Sequence, residues 1–421
     1  MITKGVIKMG SSSELFKVKT LVEAIDSLKP YVHSFYQRVE TIPLAESLGC
    51  ILSQDIPATY AIPHFRKSTM DGMAVRASDT FGASESMPAL VQCYGEVRMG
   101  EAPTEVLRQG TGILMPTGGM LPEGADAVVM IEHIEHFGEE LYGVTKAVAP
   151  GENLIDIGED VTEGEVILSK FTRIRAQEMG LLAALGQISV PVLPRFRVGI
   201  LSTGDEIIPP DQDPLPGQSR DINGYTLLGQ ALACGAEAHH YGIVKDDLEE
   251  LRTMLTRMLK ENDIVLLSGG SSVGTRDLSA QLIGELGEPG LLFHGLALKP
   301  GKPTIGGVVD GKLIFGLPGH PASAMVVFDA IVRPWLDGSV LYAPVDPLPK
   351  GKLTQNLYSG SGREEFVRIR LIPDGEGWLL EPIRGKSGLI RTMVLADAIV
   401  HIRLDTEGIE AGKETSFRLM R

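Results

Sequence analysis

The sequence predicts a multidomain protein of α/β and β parts: a central parallel-sheet α/β domain, an N-terminal helical/β region, a β domain inserted into that region, and a C-terminal β-barrel-like domain. Three observations carry this expectation. Short apolar runs alternate with helix-patterned segments between Phe196 and Leu336, as in βαβ units. Short strand-like runs separated by turns recur between residues 87 and 158, and again from Phe366 to Leu419. Helical segments flank the first of these β regions, as expected where one domain is inserted into another. The boundaries implied are 1–55 with 159–193, 56–158, 194–340 and 341–421. A chain of 421 residues is also too long for one ordinary core.

Composition narrows the class. Apolar residues make up 43% and charged residues 22%, with no apolar run long enough to span a bilayer, so a soluble globular protein is expected. The lysine-containing N-terminus lacks the apolar block of a secretory signal, which places the expectation in the cytoplasm. Cys50, Cys93 and Cys234 are far apart and form no CxxC pair, against a disulfide framework or structural zinc. The net charge of −15 argues against general nucleic-acid binding. It does not exclude anionic substrates, because backbone N–H groups, local lysines or a divalent cation reverse the sign within a site.

Taken in order, residues 12–52 read as helical, with Leu21, Ala24, Ile25 and Leu28 on one face and a second element starting near Val39. Asp71-Gly72 reads as a turn before a strand at Met73–Val75. Strands follow at Leu90–Tyr94, Thr111–Leu114, Ala127–Ile131 and Leu141–Val148, with a glycine-rich turn at Thr117-Gly-Gly119. His133 and His136 have metal-ligand spacing, but their run is charged and reads as surface. A helix is expected over Thr172–Leu185. Then Val198–Leu201 is a buried strand ending in Ser202-Thr-Gly-Asp-Glu206, followed by a helix over Asn223–Ala233, a strand over Ala236–Val244, a helix over Leu248–Lys260, a strand over Ile264–Leu267, the loop Ser268–Gly274 and a helix over Leu278–Leu286.

Ligands of such sheets bind beyond the carboxyl ends of the strands, and Glu206, Asp246, Asp277 and the Ser268 loop fall there. Several carboxylates on one edge suit a divalent cation, Mg²⁺ being the natural choice beside a phosphate; the alternative is that Asp205 and Asp246 cap helices. Lys299 and Lys302 bracket a Pro-Gly turn and either converge on one anion or stand solvated. Gly316-Leu-Pro318-Gly319-His-Pro321 opens an apolar helix over Ala324–Leu336, whose start suits an oxyanion. Arg363, Arg368 and Arg370 charge the C-terminal β region positively, either as surface solvation or towards a ligand.

Seven segments in order resemble the molybdopterin molybdenumtransferase family (MoeA, and the E domain of gephyrin): Ser68-Thr-Met-Asp71-Gly-Met-Ala-Val-Arg76, Pro122-Glu-Gly-Ala-Asp-Ala-Val-Val-Met130, Gly158-Glu-Asp160, Ser202-Thr-Gly-Asp-Glu206, Ser268-Gly-Gly-Ser-Ser-Val-Gly274, Lys299-Pro-Gly-Lys-Pro303 and Gly316-Leu-Pro-Gly-His-Pro321. The resemblance covers nearly the whole chain. It implies a four-part homodimer that inserts molybdate into adenylylated molybdopterin with Mg²⁺-dependent release of AMP. It also implies a molybdopterin-binding, MogA-like central domain and a molybdopterin adenylyltransferase as partner enzyme. The active site would lie between the α/β domain of one subunit and the inserted β domain of the other.

By matching position, Ser268, Gly269, Gly270 and Ser271 with Gly316, Pro318, Gly319 and Pro321 would hold the pterin and its phosphate. Glu206, Asp246 and Asp277 would bind Mg²⁺ or polarise the phosphoanhydride, Lys299 and Lys302 would stabilise negative charge, and Asp71, Thr117 and Asp160 would complete the catalytic set. The chain departs from the pattern at Leu154-Ile-Asp-Ile157, at Gly295 and at His320, which bears on molybdate against tungstate. A tungstate-inserting paralogue, a molybdopterin adenylyltransferase and a non-catalytic scaffold are the alternative expectations.

Overall fold

A computed structural model describes residues 18–269, 273–340, 348–360, 362–375 and 377–420, with backbone only at 273–277. The chain forms two compact units, Thr41–Val192 and the remainder, Met1–Glu40 with Leu193–Arg421.

In the first unit a six-stranded sheet runs in the order Ala127–Met130, Gly72–Val75, Thr111–Met115, Ala89–Glu96, Leu141–Val144, Ile134–His136. Side chains alternate across it. Met73 and Val75 join Val91 and Val129 on one face, while Ala74, Ile113 and Val128 pack on the other, so both faces are buried. The expected turn at Asp71-Gly72 is not one: Gly72 already belongs to an interior strand, flanked antiparallel by Thr111–Met115 and Ala127–Met130. A Cβ on Gly72 would lie 1.9 Å from the Val129 carbonyl oxygen, so close approach of two backbones, not turn geometry, selects glycine there. Gly72→Ala is therefore expected to destabilise the protein by about 1–3 kcal/mol as a backbone overpacking, read as a fall in the urea midpoint at unchanged slope.

The segments on either side of this sheet in sequence pair with one another. Ile56–Pro57 pairs antiparallel with Val166–Leu168, and Leu52 bridges Val192. The helix Ala176–Ala184 closes a core of Leu52, Ile56, Ile174, Leu182, Val190 and Val192. The second element near Val39 is not helical: Glu40–Pro43 is a strand, followed by one 3₁₀ turn, Leu44–Glu46. Pro43 supplies no N–H and stands where a helix would need one.

The other unit is built on a six-stranded sheet ordered Glu237–Val244, Arg197–Thr203, Ile264–Gly269, Lys312–Leu317, Ile305–Val309, Pro289–His294. The first four strands are parallel. Ile305–Val309 is antiparallel to both its neighbours, a feature that the strand-helix alternation did not show. Its cause is Asp310-Gly311, with φ of 48° and 78°, a two-residue hairpin turn of the type that Asp-Gly favours. Leu201, Val265, Leu267, Leu255, Ile283 and Ile314 form the core.

Four helices accompany the parallel strands: Asn223–Ala233, Leu248–Glu261, Val273–Glu285 and the segment from Pro321. That last one is not the single helix expected over Ala324–Leu336. It runs as α-helix through Pro321–Val327, widens to a π turn at Phe328–Val332 and resumes at Arg333–Leu336. Pro334 removes one helix donor at this point. The helix Leu21–Val32 starts on a capping box, in which Thr20 and Glu23 satisfy each other's backbone N–H. It turns Ala24, Leu28 and Val32 inward.

The C-terminal strands form a sheet ordered Glu414–Ser416, Lys350–Leu353, Gly377–Pro382, Glu364–Asp374, Ala398–Ile402, Arg418–Leu419 over Leu353, Ile369, Leu380, Val400 and Phe417. Leu298–Lys299 adds to this sheet, parallel to the start of Glu364–Asp374. No helix among the described residues is long and apolar enough to cross a membrane.

Candidate functional site

The chain leaves Arg197–Thr203 towards one side of the sheet, to Glu237–Val244, and leaves Ile264–Gly269 towards the other, to Lys312–Leu317. Connections that diverge in this way open a crevice at the carboxyl ends of the two strands. Thr203 and Gly269 are register partners there, and a Cβ on Gly269 would fall 1.9 Å from the Thr203 carbonyl oxygen. Around this edge several buried polar atoms have no aligned hydrogen-bond partner: Ser268 Oγ, Asn223 Oδ1 and Asp246 Oδ1. Buried polar groups are normally satisfied, so their concentration on one edge marks a place where a polar ligand completes the set. Of these, Asn223 was not legible as a site residue.

Asp205 and Asp246 divide differently from the capping alternative. The cap of Leu248–Glu261 is Asp247, whose carboxylate accepts from the Glu249 and Glu250 N–H groups. Asp246 is left facing Asp205 and Glu206, and burial first, then the charges of those two carboxylates, push its own carboxyl above the ordinary range. Gly270 and Ser271 lie outside the described residues, as does the Asp277 side chain; its backbone is in the helix Val273–Glu285.

Behind the crevice, Asp221 Oδ2 stands 3.1 Å from His240 Nε2, and Asp221 Oδ1 accepts the Gly224 N–H at 2.9 Å. Burial raises the Asp221 carboxyl, but His240 and the Gly224 N–H outweigh it and hold it below the ordinary value. A Cβ on Gly224 would sit 2.4 Å from both partners, so this glycine makes room for the pair. Next to it, the Asn223 amide donates to the Gly319 carbonyl at 2.9 Å, tying a helix start to the loop after Lys312–Leu317.

That loop borders a cleft of about 1030 Å³ between the α/β sheet and the C-terminal sheet. Pro318, Gly319, His320 and Ser323 form one wall. Lys299, Lys302, Arg363, Arg368, Arg384 and Lys386 surround the space, and Glu365 is the one carboxylate among the described residues lining it. A chain of net charge −15 thus carries a local field of the opposite sign. Arg368 donates to the Thr392 hydroxyl and to the Gly385 carbonyl, and burial pulls its pKa below the usual arginine value. His320 Nδ1 is 2.9 Å from Ser387 Oγ, which also faces the cleft.

Lys299 and Lys302 do not form the free pair that their spacing suggested. Lys299 Nζ is bound to Glu365 Oε1 at 2.8 Å, while Lys302 makes no ion pair among the described residues. Gly316 differs too: it lies inside the strand Lys312–Leu317, where a Cβ would meet the Ile305 side chain at 2.5 Å. Sheet packing accounts for it without a ligand. Pro321 is buried at the start of its helix.

In the other unit, Asp71 and Thr117 are brought together. Asp71 Oδ1 accepts the Thr117 N–H at 2.7 Å and its hydroxyl at 3.0 Å, and these bonds, the backbone one first, hold the exposed Asp71 carboxyl below its ordinary range. Asp160 is exposed, with its N–H on the Ile62 carbonyl, and makes no hydrogen bond to Asp71 or Thr117 among the described residues. No group of three or more His, Cys, Asp or Glu among the described residues is arranged to hold a metal ion, His133 and His136 included.

A crevice at a strand-order switch point beside a cationic cleft defines an anion-handling α/β protein carrying accessory β domains. Three family models match in succession: the MoeA N-terminal region (domain I and II) over residues 17–186, a probable molybdopterin binding domain over 199–338 and the MoeA C-terminal region (domain IV) over 350–419. The chain belongs to the MoeA family. It is 34% identical to a molybdopterin biosynthesis protein of Methanocaldococcus jannaschii, covering 97% of each chain. It is 32% identical to the molybdopterin molybdenumtransferase of Bacillus subtilis, over 97% of this chain and 96% of the other. The crystal structure of a molybdopterin biosynthesis MoeA protein from Pyrococcus horikoshii matches with a TM-score of 0.79 and 34% identity, over 96% of this chain and 99% of that one.

Proposed function

We propose that this protein is a molybdopterin molybdenumtransferase that inserts molybdate into adenylylated molybdopterin and releases AMP. The observation that carries the reading is the cleft, where six lysine and arginine side chains face a single carboxylate next to the Pro318-Gly319 loop. An oxyanion and a phosphoanhydride both need charge neutralisation and positioning more than a covalent nucleophile. Lys302, Arg363, Arg368, Arg384 and Lys386 supply charge, and Ser387, fixed by His320, supplies a hydroxyl.

The switch-point crevice, with Ser268, Gly269, Gly270 and Ser271, takes the pterin and its phosphate, and Pro318 and Gly319 shape the adjoining wall. The oxygen donors there fit a hard cation. Asp246 has a buried, unpartnered oxygen and a carboxyl raised by its acidic neighbours, a strain that a divalent cation relieves. Glu206, Asp246 and Asp277 would hold Mg²⁺, which supplies neutralisation of the phosphoanhydride. Asp71 stays ionised through Thr117 and accepts a hydrogen bond from the substrate, with Asp160 contributing to the same reaction. The protein would act as a cytoplasmic homodimer fed by a molybdopterin adenylyltransferase.

The test supplies purified protein with adenylylated molybdopterin, molybdate and Mg²⁺, and measures AMP released and molybdenum bound. One molybdenum bound for each AMP released is expected. Asp71→Ala is expected to lower AMP release by about 10²-fold or more, the size of a lost charge-orienting group. ATP-dependent adenylylation of molybdopterin without metal insertion would assign the protein to the preceding step instead.

A further inference from the structure

Glu365 is a carboxylate in a cleft otherwise suited to anions. Its Oε1 holds Lys299 Nζ at 2.8 Å, while its Oε2 is buried with no hydrogen-bond partner. Its side chain is only 13% exposed, against 47% for Lys299. The two residues are register partners where Leu298–Lys299 lies along the start of Glu364–Asp374, and the Glu364 N–H binds the Ala297 carbonyl beside them. Backbone pairing therefore already joins these strands. The neighbouring Glu364 is engaged elsewhere, 2.6 Å from His401 Nε2.

An ion pair kept for stability satisfies both carboxylate oxygens, since a half-satisfied buried charge recovers little of its desolvation cost. This one leaves an oxygen unmet and places negative charge where a ligand of the same sign must enter. It also occupies Lys299, the most exposed member of the pair.

We propose that Glu365 is the specificity-determining counter-charge of the cleft: it holds Lys299 while the cleft is free of ligand and yields it to an entering tetrahedral dianion. Lys299 then turns its ammonium from Glu365 to the anion, and the carboxylate left behind opposes the bound charge. Glu365 thereby lowers affinity for every dianion, and most for those that make few other contacts, such as sulfate. It favours a ligand that engages the remaining arginines and lysines together. The inference rests on the cleft being the molybdate site.

The test measures molybdate and sulfate binding at fixed ionic strength by equilibrium dialysis, with melting curves alongside, on wild type, Glu365→Gln, Glu365→Asp and Arg368→Ala. Glu365→Gln is expected to bind molybdate at least fivefold and sulfate at least tenfold more tightly, with a lowered KM for molybdate in AMP release. Glu365→Asp, which keeps the charge, is expected to stay close to wild type, and Arg368→Ala to bind at least tenfold more weakly. Where Glu365→Gln melts early, Glu365→Ser takes its place with the same expectation. Wild type that binds no molybdate overturns the reading of the cleft and this inference with it. Binding lost in Arg368→Ala but unchanged or weakened in Glu365→Gln overturns the role of Glu365 alone. Equal tightening in Glu365→Asp assigns the effect to altered packing and overturns it as well.

Discussion

Asp263→Ala is expected to cost about 3 kcal/mol of folding stability, near the low end of what breaking a buried ion pair costs. Asp263 sits at the amino ends of three neighbouring strands with its side chain only 3% exposed. Arg38 Nη1 lies 3.2 Å from it, Arg197 Nε 3.6 Å and Lys312 Nζ 3.6 Å, and the Arg197 N–H donates to it at 2.9 Å. Alanine leaves three cations around an apolar stub. The cations remain partly in water, which is why the lower end applies. Asp263→Asn keeps the backbone hydrogen bond and is expected to lose about half as much. Urea unfolding decides: losses under about 1 kcal/mol for alanine would show that the cations simply relax into solvent.

Arg368→Ala is expected to lower kcat/KM for AMP release by about 10²–10³-fold, the range found for loss of one fixed oxyanion donor. The Thr392 hydroxyl and Gly385 carbonyl fix the guanidinium in the cleft wall, so it meets a ligand without reorganising. Arg368→Lys is expected to recover charge but only part of the activity, because an ammonium cannot bond Thr392, Gly385 and an oxyanion in one plane. Full recovery in the lysine variant would reduce Arg368 to a source of field. Melting curves separate both outcomes from unfolding.

Much of this architecture was legible because its signals are local. Val198–Leu201 and Ile264–Leu267 read as buried strands from their apolar runs, and the strands Arg197–Thr203 and Ile264–Gly269 contain them. The two Asp-Gly pairs show the limit. Asp310-Gly311 is a hairpin turn and Asp71-Gly72 is not, and the difference lies in the Val129 carbonyl, nearly sixty residues along the chain. Adjacent aspartates were likewise indistinguishable in sequence, although Asp247 caps a helix and Asp246 faces two carboxylates.

The cleft was the least legible part. Lys299 and Lys302 come from one segment and Arg363, Arg368, Arg384 and Lys386 from another more than sixty residues on, and the pairing of Leu298–Lys299 with Glu364–Asp374 helps bring them together. The same pairing sets Lys299 against Glu365, so the feature that assembles the cleft also engages one of its cations.

The hairpin at Asp310-Gly311 has a further consequence for how this enzyme can vary. Pro289–His294 rises to the ligand edge, the lysine-bearing segment crosses it, and Ile305–Val309 descends to the two-residue turn before Lys312–Leu317 climbs back to the Pro318 loop. Two walls of the cleft are thus ends of one folded ribbon, and the turn at its opposite end, about 17 Å away at five residues of strand, fixes their phase. One residue added there would turn each strand face over and carry the lysines out of step with the Pro318 loop. Exchange of side chains around the cleft is therefore expected to alter ligand preference with the fold intact, whereas a residue added at this turn, outside the cleft lining, is expected to disturb the site from a distance.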